Sequence, residues 1–278
     1  MKKLFDEVSA ASSKSTTRTY STSFSLGIYF LDRRFHQSIY GIYGFVRYAD
    51  EIVDSFHDYD RKTLFEEFKD ETYKAIDRKI SLNPILNSFQ HVVHNYGIDR
   101  NLIDSFLQSM ETDLHQNVHS LSSFNQYIYG SSEAVGLMCL RIFTFGDDGL
   151  YNRLAPAAMK LGAAFQKVNF LRDAKADFEE LGRSYFPGVD LRKLTVSEKR
   201  KIEADIKQDF EEALAGIREL PKGARKGVYI AYFYYIKLFR KIIEAPTEVL
   251  MSERIRISNA NKLVLMLSSS VRHQLNLI

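Results

Sequence analysis

Apolar residues recur at intervals of three and four along most of this chain, the period of helices that bury one face. The pattern predicts a short helix over 3–11, then a Ser/Thr-rich capping loop over 12–25. Asp32 caps a long helix running to about Phe56, with Ile39, Tyr43 and Val46 on its apolar stripe. Helices follow over 61–79, 84–96 and 99–117, the second opened by Pro84 and closed by Gly97. One helix over 123–145 carries small residues at Gly130, Ala134 and Gly136, which leave room for a neighbouring backbone or a ligand chain. A turn at 146–149 leads into a central helix reaching about Leu181, and a loop-like link follows. Helices over 197–220, 223–244 and 247–268 complete the chain. There is no βαβ alternation, glycine-rich phosphate loop or fixed-period repeat, so residues 1–278 read as one all-α domain.

Two stretches break the ordinary amphipathic rule. Asn169, Asp173 and Asp177 are each four residues apart and form one column on the central helix. Continued backwards, the column takes in Gln166, Gly162 and Ala158, flanked by Leu161, Phe165 and Val168. Asp50 and Asp54 likewise continue the stripe of the 32–56 helix, with Arg47 one turn before them. A single acid pair of this kind is ordinarily a solvated surface feature. Two pairs on apolar faces, each beside an arginine, favour function. Burying such carboxylates without a partner costs several kcal/mol, which implies a counter-cation.

Composition narrows the chemistry. A chain of 278 residues with 45% hydrophobic and 26% charged residues buries a core and is not a disordered chain. The net charge of +3 is mild, and basic residues do not interleave with aromatics as in a nucleic-acid surface. With Cys139 alone there is neither a disulfide framework nor a cysteine metal site, which fits a reducing compartment. The N-terminus has no signal-peptide pattern, and the run 263–267 is far short of the ~20 residues of a membrane span. The expected setting is cytoplasmic, with peripheral contact to the inner face of a membrane through helix-flanking lysines and arginines.

Magnesium takes oxygen ligands and is usually held by one or two carboxylates plus substrate phosphates. Two facing acid columns suit it, and Arg47, Arg172 and the more distant Arg254 would neutralise remaining phosphate charge. Such a site stabilises a departing diphosphate. The carbocation left behind needs a dry aromatic cavity, which 20 Phe and 16 Tyr can wall, although most of these rings must be core. His91/His94 and His115/His119 have zinc-like spacing but no carboxylate in register, and read as surface histidines. Cys139 reads as packing.

These residues resemble the squalene/phytoene synthase family, the head-to-head trans-prenyl synthases, over nearly the whole chain. The matching stretches are YSTSF (20–24), RYADEIVD (47–54), YIYGSSEAVGLM (127–138), QKVNFLRDAKAD (166–177), RSYFP (183–187) and YIKLFRKI (235–242). DEIVD and VGLM are closer to bacterial phytoene synthases. The resemblance implies an isoprenoid-synthase-type helical bundle enclosing a central cavity. It implies magnesium, with manganese as the alternative, on Asp50, Asp54, Asn169, Asp173 and Asp177. Ser21, Ser23, Arg47, Gln166, Arg172, Tyr235 and Arg254 would contact or orient diphosphate. Phe24, Tyr127, Ala134, Gly136 and Tyr185 would lie near the reacting ends or line prenyl tunnels. The chain departs from the pattern at Tyr20, where dehydrosqualene synthases carry histidine, and after Asp177, where it is one residue longer.

The implied reaction joins two geranylgeranyl diphosphates through a cyclopropylcarbinyl diphosphate to 15-cis-phytoene, the first step of carotenoid biosynthesis. It needs no nicotinamide, and downstream carotenoid enzymes would be partners. The alternatives are dehydrosqualene or squalene synthesis from farnesyl diphosphate, or a non-catalytic assembly factor of the same fold.

Overall fold

Helix boundaries follow from local capping chemistry. The computed structural model describes residues 1–115, 118–252 and 254–257. Its first helices are α1 (Lys2–Tyr20), α2 (Thr22–Tyr29) and α3 (Arg33–Ser55). Ser21 caps α2 by accepting from the Phe24 amide at 3.1 Å, and Asp32 caps α3 by accepting from Arg34 at 3.1 Å. Next come α4 (Arg61–Arg78), α5 (Pro84–Tyr96) and α6 (Arg100–Thr112). α5 begins with Pro84 after an Asn83 cap and ends at Gly97, whose φ of 61° is the left-handed C-terminal conformation.

Then follow α7 (Leu121–Ile128), a π-helical turn (Tyr129–Glu133), α8 (Ala134–Phe143) and α9 (Asp148–Glu179). A 3₁₀ turn at Leu191–Lys193 precedes α10 (Val196–Glu219), which opens with a Thr195–Glu198 capping box. The last elements are α11 (Lys222–Glu244) and α12 (Thr247–Leu250). Among the described residues there is no strand, only an isolated bridge between Val118 and Ser184.

Three expectations are corrected. The Ser/Thr-rich segment is helix almost to its end, because small residues let α1 lie close on α3. A side chain at Gly44 would stand 3.0 Å from Ser13 Oγ, and Ser9, Ser13 and Thr17 are fully buried. Thr17 Oγ1 donates to the Ser13 carbonyl at 2.9 Å and Ser9 Oγ to the Phe5 carbonyl at 2.9 Å, so these two hydroxyls stay bonded, while buried Ser13 Oγ has no hydrogen-bond partner among the described residues. The helix over 123–145 is interrupted by the π turn. There Gly130 seats against the Ser105 carbonyl and Ser109 of α6, with no space for a Cβ. The helix over 247–268 stops at Leu250, and residues 254–257 run non-helically along α9 and α11. Lys175 Nζ donates to the Ser252 carbonyl and Lys241 Nζ to that of Arg256, at 2.9 and 2.8 Å. The remainder of that expected helix, with Lys262, lies outside the described residues, as do 116–117 at the end of the expected 99–117 helix.

α9, 32 residues and so about 48 Å long, is the axis of the molecule. It packs on α8, α10, α11 and the π turn, while α1, α3 and α5 form a layer of their own. One apolar core centres on Phe45, stacked on Phe89 at 3.9 Å between centroids. Removing that fully buried ring would cost about 3–5 kcal/mol. A second core, around Phe170, Phe210 and Phe239, joins α9 to α10 and α11. Residues of both cores wall a cavity of about 1070 Å³.

Candidate active site

The two acid columns open into the same cavity. Asp50 and Asp54, near the end of α3, and Asn169, Asp173 and Asp177, near the end of α9, all line it. Further along α9 the wall becomes small and apolar, at Gly162, Ala158, Ala157 and Leu154. Ile28 of α2, Leu31 just after it, and Leu140 and Phe143 of α8 continue that apolar part. The cavity thus has an acidic head and an apolar body.

Arginines engage the acids from four directions. Arg47 Nη1 donates to Asp50 at 2.7 Å, and Arg172 Nη2 to Asp173 at 2.5 Å. Arg254, distant in sequence, places Nε 2.6 Å from Asp173 Oδ1. Arg183, from the loop after α9, donates to Asp54 at 2.6 Å. Among the described residues Asp177 has no side-chain ion pair.

The cationic partners do not balance the acids. Burial, then the charge of Asp54, pushes the Asp50 carboxyl up to about 7 despite Arg47. Burial, then Asp173 and Asp54, pushes Asp177 up to about 8. Asp113, at the end of α6, is raised to about 7 by burial. The carboxyls at the head of the cavity outnumber the arginines that offset them. Among the described residues no three acidic, histidine or cysteine side chains converge as a ready metal cage.

Aromatic rings surround the acidic head. Tyr185 stacks on Phe170 with centroids 3.9 Å apart and lies beside Tyr127 at 5.2 Å. The Tyr127 hydroxyl donates to Asp113 Oδ2 at 2.6 Å, and Tyr127 lines the cavity. Phe165 stacks on Tyr235 at 3.9 Å, and the Tyr235 hydroxyl donates to Asn169 Oδ1 at 3.2 Å. Phe24 meets Tyr43 at 5.0 Å.

Ser21, Ser23, Phe24, Gly136 and Gln166 also lie on the wall. Ala134 does not. It is fully buried in the first core, because the wider π turn shifts the register and presents Ser131, Ser132, Val135 and Cys139 instead. The small residues divide similarly: Gly130 only seats a neighbouring backbone, whereas Gly136 and Gly162 meet the Ala158 and Ser132 carbonyls and also line the cavity. The histidines turn to separate partners, His91 to Asp6 at 3.0 Å and His94 to the Ile76 carbonyl at 2.8 Å. His119 corrects the surface reading: it is buried, its ring stacked on Tyr185.

Sequence reasoning missed Arg183 and Asp113. Arg183 is only 4% exposed and also donates to the carbonyl of Asp113 at 3.1 Å and to the Tyr185 hydroxyl at 3.3 Å. It lies in a loop, where helical periodicity carries no signal, although the RSYFP stretch contains it. Asp113 follows the last residue of α6, three residues after Met110 and seven after Phe106, so its place on that buried stripe was a signal the sequence did carry.

The family model described as squalene/phytoene synthase matches residues 17–261. Presqualene diphosphate synthase of Sinorhizobium fredii is 28% identical over 205 residues, 70% of this chain and 70% of that protein. The 15-cis-phytoene synthase of Synechocystis sp. is 26% identical over 281 residues, covering 90% of this chain and 81% of that enzyme. A crystal structure of a dehydrosqualene synthase in complex with ligand superposes with a TM-score of 0.81 at 19% identity, covering 97% of this chain and 98% of that one. A match this long, reaching from the end of α1 past the acid columns to beyond Arg254, leaves one conclusion: the chain belongs to the squalene/phytoene synthase family.

Proposed function

We propose that this family member joins two prenyl diphosphates head to head. Geranylgeranyl diphosphate is the substrate of this reading and 15-cis-phytoene, the entry to carotenoid synthesis, its product. The carrying observation is one cavity with carboxylates and arginines at its head and an apolar body behind them. Diphosphate would sit at the head, and prenyl chains would fill the body.

The donor set fits magnesium. The candidate ligands Asp50, Asp54, Asn169, Asp173 and Asp177 supply oxygen only, and the raised Asp50 and Asp177 carboxyls mark a deficit of cationic charge. The absence of a ready cage among the described residues suits an ion that completes its shell with substrate phosphate. When bound, magnesium supplies Lewis-acid stabilisation of the leaving diphosphate.

The chain's own groups account for the rest. Arg47, Arg172 and Arg254 bind and orient diphosphate oxygens, with Ser21, Ser23, Gln166 and Tyr235 nearby on the wall. The first C–O bond breaks to give an allylic cation, which the double bond of the second substrate captures. Loss of a proton closes a cyclopropylcarbinyl diphosphate. That intermediate ionises, rearranges to the 1–1′ linked chain and loses a second proton to form the central double bond. The faces of Tyr127, Phe170 and Tyr185 stabilise the cations, and the apolar walls exclude water.

The likeness to presqualene diphosphate synthase favours a second reading, with farnesyl diphosphate as substrate and the cyclopropane-bearing diphosphate as product. Purified protein given both substrates and magnesium distinguishes the two. Phytoene with released diphosphate supports the first, and presqualene diphosphate or a C30 hydrocarbon the second. Recovery of both substrates unchanged overturns the assignment.

Among the described residues no helix is long and apolar enough to cross a membrane. Peripheral attachment at the cytoplasmic face, beside enzymes that take up the hydrocarbon, accompanies the proposal.

A further inference from the structure

Arg47 is held on three sides by residues of different character. Nε and Nη2 both donate to Glu51 Oε2, at 2.9 and 2.5 Å. Nη1 donates to Asp50 Oδ2 at 2.7 Å. The Tyr20 ring covers one face of the guanidinium, its centroid 4.4 Å from Cζ. Tyr20 sits at the last position of α1, while Arg47 and Glu51 occupy successive turns of α3.

These contacts differ in what bound substrate would do to them. Asp50 lines the cavity and belongs to the set of carboxylates that would take a cation, so its bond to Arg47 is exchangeable. Glu51 is not on the cavity wall, its side chain is only 16% exposed, and the Arg47 fork occupies one of its oxygens. One residue after Asp50, it points about 100° away around the helix. Glu51 is therefore a partner of arginine and stands apart from the acid column. Tyr20 adds an uncharged platform that a cation on the carboxylates would not displace.

We infer that Tyr20 and Glu51 are positioning residues that lock the Arg47 guanidinium at the cavity head, so that Nη1 is presented to a diphosphate oxygen when Asp50 turns to its cation. The inference deepens the proposed function and rests on it. A guanidinium fixed beforehand loses less rotational freedom on binding than a free one. The clamp thus acts on diphosphate affinity and, through it, on KM.

Binding of inorganic pyrophosphate in magnesium, measured by calorimetry, tests it, with KM and kcat determined in parallel. Tyr20→Phe keeps the ring face and loses only the hydroxyl's hydrogen bond to Glu51, so it should weaken binding less than Tyr20→Leu, which should bind about two- to five-fold more weakly. Glu51→Gln, which leaves only a neutral partner, should weaken binding about ten-fold and raise KM more than it lowers kcat. In an Arg47→Ala background, Tyr20→Leu and Glu51→Gln should cause no further loss. Losses that persist in that background, or full affinity in both single variants, overturn the clamp. If wild-type protein binds no pyrophosphate in magnesium, the proposed function itself fails.

Discussion

The Arg183 guanidinium donates to Asp54 at 2.6 Å, tying the loop after α9 to the end of α3 across the head of the cavity. The same side chain reaches the Asp113 carbonyl, so three chain segments meet on one buried cation. Removing a buried ionic partner leaves the other charge uncompensated, and the loss is large. Arg183→Gln should lower unfolding free energy by about 3 kcal/mol, with Arg183→Lys recovering part of it. Urea unfolding followed by circular dichroism measures both. A loss below about 0.5 kcal/mol, the scale of an exposed pair, would show that the tie carries little stability.

The acid columns make a separate prediction. Asp50→Ala and Asp173→Ala should each reduce turnover by at least about 10²-fold, because each removes a candidate ligand and leaves arginine in its place. Far-UV circular dichroism should be unchanged, since both residues stand on helices packed by other side chains. Near-full turnover in either variant would exclude that residue from the machinery.

Stability should depend on pH in an unusual direction. In the unfolded chain a carboxyl loses its proton near 3.9, whereas folded Asp50, Asp113 and Asp177 retain theirs to about 7, 7 and 8. Between those values the folded state binds more protons, so these groups make stability fall as pH rises. In chelator, the melting temperature should therefore decrease from pH 5.5 to 8. Magnesium with pyrophosphate should flatten the trend by compensating the charge. A melting temperature that climbs over that range in chelator would contradict the electrostatic picture.

Gly130 is the tightest backbone approach at the π turn, where an added methyl meets the Ser105 carbonyl and Ser109. Gly130→Ala should destabilise by about 1–3 kcal/mol through overpacking. Gly149→Ala, in the first turn of α9 where the nearest atom to a new Cβ is at 3.4 Å, should be neutral or slightly stabilising. Differential scanning calorimetry of the pair separates a steric seat from a general helix effect.

The helical period carried most of the fold. α3, α5, α9 and α11 lie where their stripes and caps put them, because a cap or a Pro–Gly pair acts on its own few residues. It also carried the acid columns, since residues four apart on one helix must share a face whatever the helix packs against. It did not carry the helical course of 12–20, where hydroxyls normally suited to loops bond their own carbonyls once buried. Nor did it carry the π turn, which hides Ala134 and turns Ser131 to the cavity.

By itself, then, the order of residues determined that this is a helical chain with two inward acid faces, because those properties depend on spacing within a single helix. Tertiary structure decided which arginine meets which acid. Arg254 reaches Asp173 from 81 residues away and Arg183 reaches Asp54 from 129, and contacts between distant segments arise only when helices dock.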